Sequence, residues 1–227
     1  MEKKEFKPII KVYSIHCSEI EITIIYRMML LRTAKHLSTE EVSFLMGKEH
    51  DFIEKIETFK IKSVYAHDLY IFTQVLDYNA GAAYPKSVDV DHQKFDYDMF
   101  VTICSDRVIY ELKQLDENKK AIKTIFLLID SRHDIDCFNN STATKIEQLR
   151  SLMRQLFVEG YFTEERIAYE ILNKCQNSID TSISPKNLML VLQDYLDKKE
   201  DYHLEQKISS KKNFSGFAYL QINKVKS

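Results

Sequence analysis

With 227 residues, the chain is longer than one compact helical domain needs and suits two modules with a connector. A hydrophobic content of 44% and a charged content of 29% exclude a chain disordered throughout, and a formal net charge of -2 excludes strong non-specific attraction to a polyanion. Four glycines and three prolines exclude a Gly-rich phosphate cradle and the turn-dense sequence of an all-β protein.

In chain order, Met1 to Pro8 carries charges of both signs and leads into a short apolar stretch, Ile9 to Ile15, without a well-placed small-residue cleavage site, so secretion is not expected. Ile22, Ile25 and Met29 give a first helix its buried stripe. Ser38 stands at an N-cap with Glu41 three residues on, and Val42, Leu45 and Met46 fall on one face of a second helix. Gly47 supplies a left-handed turn, and Ile53 and Ile56 anchor a third helix. Leu69, Phe72, Val75 and Leu76 stripe a fourth, and Asn79, Ala80, Gly81 and Pro85 mark a boundary. Phe100 to Cys104, Val108 to Leu115 and Ala121 to Ile129 read as a β-meander. Further on, Ile146, Leu149, Met153, Leu156 and Phe157 stripe a helix ended by Gly160. Ile167, Ile171, Leu172 and Cys175 stripe another. Ser184 with Pro185 opens a third, carrying Leu188, Val191, Leu192, Tyr195 and Leu196. A terminal strand, turn and strand follow.

The run LRTAKHLSTEEVSFLMGKEHDFIEKIE, Leu31 to Glu57, resembles the phage-repressor (XRE) type of helix-turn-helix over about 60 residues, Glu19 to Tyr78. The C-terminal third more weakly resembles a winged-helix module, with the terminal hairpin as the wing. The expected fold is therefore mainly α with a small β-meander. Its parts are a four- to five-helix repressor-like domain over 1–82, a linker and central antiparallel strands over 83–140, and a winged-helix-like domain over 141–227. A fragment from Met1 to about Tyr84 is expected to fold alone.

The XRE resemblance implies a prokaryotic, cytoplasmic, dimeric transcription regulator that contacts double-stranded DNA through its third helix. Here that helix and its approach offer Glu49, Asp51, Glu54 and Glu57 against Lys48, Lys55 and His50, and carboxylates repel phosphate. Thr39 replaces the usual phosphate-fixing glutamine, Lys48 an apolar residue and Phe52 a small polar one. Thr39, His50 and Lys55 are the DNA contacts this module has left to offer. From Gln206 onward there are five lysines and no acid, which moves expected phosphate contact to Lys186, Lys207, Lys211 and Lys212, with base contacts from Asn187 or Gln193. The alternative is a protein-interaction adaptor whose acidic third helix and meander edge bind another protein. The uncovered meander also suggests a homodimer.

No cofactor, metal, membrane span or catalytic role is expected. Cys17, Cys104, Cys137 and Cys175 are scattered and read as reduced cytosolic thiols. His67 with Asp68 reads as the first turn of a helix. Asp130, His133, Asp134, Asp136 and Cys137 lack the glycine and the final carboxylate of a calcium loop, and Asp89, Asp91, Asp96 and Asp98 fail on the same glycine.

Overall fold

A computed structural model describes residues 7–84, 93–131, 143–178, 183–212 and 214–222. The chain forms two compact units, one from Met1–Thr39 with Phe52–Phe138 and one from Glu40–Asp51 with Asn139–Ser227.

The first unit opens with a strand, β1 (Ile9–Ser18), which runs without a loop into α1 (Glu19–Ala34). The carboxylate of Glu21 marks that junction, accepting from the backbone N–H and the hydroxyl of Ser18, both at 2.8 Å. After α2 (Thr39–Leu45), which belongs to the second unit from Glu40 onward, come α3 (Phe52–Glu57) and α4 (Ala66–Val75). Three strands follow, β2 (Lys94–Ile103), β3 (Val108–Leu115) and β4 (Ala121–Asp130). All pairings are antiparallel, in the order β1-β2-β3-β4, with shifts of register in the β3-β4 pair beside Lys113 and Leu115.

One face of this sheet is the core. Ile15 and Cys17 of β1, Tyr97, Met99 and Val101 of β2, Leu112 of β3, and Phe126 and Leu128 of β4 are buried there. Tyr26 of α1 stacks on Phe126 with ring centroids 4.5 Å apart.

In the second unit, α5 (Ala143–Val158), α6 (Ala168–Gln176) and α7 (Pro185–Leu196) precede a hairpin of β5 (His203–Ile208) and β6 (Phe217–Ile222). Ser184 caps α7 by accepting from the Asn187 N–H at 3.2 Å, with Pro185 in the first turn, as the spacing predicts. Arg166 and Tyr219 exchange two backbone hydrogen bonds of 3.0 and 2.8 Å, adding a bridge to the hairpin. Gly47 takes the left-handed conformation (φ 65°), and its carbonyl accepts from the Phe217 N–H at 2.6 Å.

The expected mainly α fold with a small β-meander is corrected. The described residues form an α/β protein of seven helices and six strands, 41% helix and 27% strand, built on a four-stranded antiparallel sheet. The difference comes from Ile9–Ser18, whose β-branched and aromatic residues make a ten-residue strand paired with β2 along its whole length, from Ile9 opposite Ile103 to Ser18 opposite Lys94. Local periodicity cannot reveal a partner so distant in sequence.

Candidate functional site

The sheet face opposite the core carries a two-part pattern fixed by register. Successive residues of a regular strand point to opposite faces, so every second residue of β1, β2 and β3 lies on this face, while in β4 the register shifts interrupt the alternation between Leu127 and Ala121. One cross-strand row reads Ile10, Thr102, Ile109, Ile129, and the next reads Val12, Phe100, Glu111, Leu127. Ile10 is 63% exposed, Val12 51%, Leu127 58% and Ile129 51%, values that place four large apolar side chains in water on the two outer strands. The following rows turn polar, Ser14, Asp98, Lys113, Thr124 and then His16, Asp96, Leu115, Ala121.

The polar end is ordered by its own charges. Asp96 accepts from Lys119 at 2.6 Å and pairs with His16 at 3.0 Å, which together hold its carboxyl below the ordinary value, and the Ser14 hydroxyl donates to Asp98. At the boundary Lys113 pairs with Glu111 at 3.1 Å and lies 5.1 Å from the centre of the Phe100 ring, so Glu111 sits among apolar neighbours with its charge answered locally.

Beneath the sheet is a buried ion cluster. Arg32 of α1 donates to both oxygens of Glu57 at 2.7 and 2.8 Å and to the Leu37 carbonyl at 3.0 Å, and it lies 3.7 Å from Asp130. Burial works to lower the guanidinium pKa, but Glu57, Tyr110 and Asp130 outweigh it and raise it. Arg32, Glu57 and Asp130 are 1%, 4% and 5% exposed, which makes them part of the framework holding α1, α3 and β4 together.

The nine residues expected to contact DNA are dispersed. Thr39, first in α2, and Lys55 of α3 are half-buried in the first unit; the other seven lie in the second. Lys186 is half-buried, and its backbone N–H donates to Glu41 at 3.3 Å. Asn187 is buried at 5% exposure, its Oδ1 without a partner. Gln193 donates to Asp197 at 2.6 Å. His50 is exposed and lines, with Gln193, Phe44, Leu192 and Phe217, a cleft of about 300 Å³. On the hairpin, Lys207 pairs with Glu165 at 3.0 Å and Lys211 with Glu170 at 2.7 Å, while Lys212 is exposed. Glu165 also accepts from the backbone and hydroxyl of Ser210 and from Ser209, and these donors push its pKa down to about 2.

Lysine count alone concealed Glu165 and Glu170, which precede the hairpin by some forty residues and meet it only in the fold. The open sheet face did have a sequence signal. In AIKTIFLLID both Ile125, Leu127, Ile129 and Phe126, Leu128 are apolar, the pattern of a strand covered on two sides.

Asp89, Asp91, His133, Asp134, Asp136, Cys137, Lys224 and Lys226 lie outside the described residues. Among the described residues, no three His, Cys, Asp or Glu side chains are grouped as metal ligands would be, and no helix is long and apolar enough to cross a membrane. No family model, curated protein or solved structure matches this chain.

Proposed function

We propose that this chain is a non-catalytic, cytoplasmic protein-interaction adaptor, whose contact surface is the open face of the β1–β4 sheet and whose helix-turn-helix-like segment serves as scaffold. The observation that carries the reading is the pair of mostly apolar rows crossing the four strands, interrupted by Thr102 and Glu111, with Ile10, Val12, Leu127 and Ile129 each more than half exposed. Contiguous apolar surface is costly in water and marks a face that another protein covers.

The alternative, a DNA-binding regulator, draws less support from the geometry. A lysine held by a carboxylate releases no counterion unless that pair is first broken, and Lys207 and Lys211 are both held. A buried Asn187 reaches no base edge without displacement of its helix.

Two measurements test the proposal. A gel shift of the full chain on random-sequence duplex DNA at physiological salt should show no complex at micromolar protein. An apolar dye, 8-anilinonaphthalene-1-sulfonate, should report the face, with signal that falls when Val12 and Leu127 are both replaced by glutamate. Sub-micromolar, salt-dependent binding to duplex DNA would replace the adaptor reading with the regulator one.

A further inference from the structure

We infer that the occupant of the open sheet face is a second copy of this chain, packed face to face about a two-fold axis that runs along the strands between β2 and β3. This rests on the adaptor reading of the same face and names its partner.

Area decides how the copies meet. Four strands about 4.8 Å apart and up to ten residues long at about 3.4 Å per residue give a face on the order of 600 Å² in plan. A standard interface takes about 800 Å² of accessible surface from each partner. The two apolar rows alone cover less than half the face, too little for a stable dimer, so the polar end has to be included. A two-fold axis across the strands would lay one copy's apolar end on the other's polar end, or leave only the apolar ends overlapping. An axis along the strands superposes each row on the same row of its partner.

That axis exchanges β1 with β4 and β2 with β3, and in the first three rows most positions then match. Ile10 meets Ile129 of the copy, Val12 meets Leu127, and Thr102 meets Ile109. In the third row Asp98 meets Lys113, and by symmetry Lys113 meets Asp98, so the arrangement gives two interchain ion pairs beside the apolar rows. Twisted sheets packed in this way cross at about 30° with about 10 Å between them, room for one layer of interdigitated side chains. Two carboxylates are poorly matched: Glu111, brought over the partner's Phe100 ring, and Asp96 of the fourth row, brought over the partner's Leu115.

The test uses the full chain in light scattering and sedimentation at micromolar concentration. The wild type should run as a dimer. Val12→Glu with Leu127→Glu should raise the dissociation constant by roughly 100-fold or more, because four charges enter a dry layer. Glu111→Leu should lower it. Val12 and Leu127 are exposed and Glu111 is half-buried, so circular dichroism should show all variants folded.

The decisive arm is a mixing experiment. Asp98→Lys alone places lysine against lysine across the axis, and Lys113→Asp alone places acid against acid, so each variant should be monomeric. Mixed together, they should form a one-to-one heterodimer. A monomeric wild type, or a wild-type dimer whose two charge variants do not associate on mixing, overturns the proposal. A monomer whose dye signal still falls with the Val12 and Leu127 replacements would leave the adaptor reading standing with a different partner. Loss of both signals would remove both.

Discussion

At the scale of residues, two buried or bonded carboxylates contribute to stability in different measurable ways. Glu57 is a partner of Arg32 in a site nearly without water, and removing one member of such a pair leaves the other charge uncompensated. Arg32→Met should therefore destabilise the chain by about 3–5 kcal/mol in urea unfolding, far beyond the effect of the lost side-chain packing. Glu165 acts through pH. Its folded pKa of about 2 lies below the ordinary 4.5, so the folded state binds its proton less readily than the unfolded state does. The stability it contributes is fully present above about pH 4.5 and is lost as pH falls towards 2. The melting temperature of Glu165→Gln should lie below that of wild type at pH 6, and the gap should close by pH 2. A gap that stays constant across that range would show that the carboxylate's charge is not what the hairpin hydroxyls and Lys207 hold.

At the scale of elements, the turn after α2 is built around one glycine. A Cβ at Gly47 would stand 2.7 Å from the Phe214 ring and 2.8 Å from the Phe217 carbonyl oxygen, and φ there is 65°. Gly47→Ala should cost at least about 1–2 kcal/mol from the left-handed backbone alone, with the collision against backbone added, and amide exchange should quicken in β6 before it does in α5. The sequence did place this turn, because a glycine after Val42, Leu45 and Met46 is a local signal. Helices striped at three- and four-residue spacing, the three meander strands and the terminal hairpin were legible for the same reason. What was not legible was pairing. Ile9–Ser18 looks like any short apolar stretch until Lys94–Ile103 is beside it, and the bridge between Arg166 and Tyr219 joins segments that share no local pattern. The candidate face was half legible, since the doubly apolar β4 was visible and its alignment with Ile10 and Val12 depended on the unforeseen strand. The hairpin lysines were found by count, but the carboxylates that answer them came from elsewhere in the chain.

At the scale of the whole molecule, the first unit cannot be cut where composition changes. The sequence suggests that Met1 to about Tyr84 folds alone, yet β1 takes all its hydrogen-bonded partners from β2, and Arg32 has Asp130 nearby at 3.7 Å. A fragment ending at Tyr84 loses both and leaves the buried side of α1 without Phe126. Expressed by itself, it should show no cooperative thermal transition by circular dichroism, whereas a fragment extended through residue 138 should regain one. Cooperative melting of the shorter fragment would mean that the four helices suffice and that β1 is an accessory to them.

The pairing of β1 with β2 also sets an order of events during synthesis. Ser14 and Asp98 are 84 residues apart and His16 and Asp96 are 80 apart, so a ribosome adding about 5–20 residues per second exposes β1 for roughly 4–16 s before its neighbour emerges. Over that interval Ile9, Ile10, Val12 and Ile15 have no strand to join, while the β3-β4 hairpin, once made, closes locally and fast. Pulse-labelled refolding should accordingly find the β3 and β4 amides protected before those of β1. Until β1 is paired, the nascent chain presents an unclaimed apolar strand that any other β-strand edge in reach can capture.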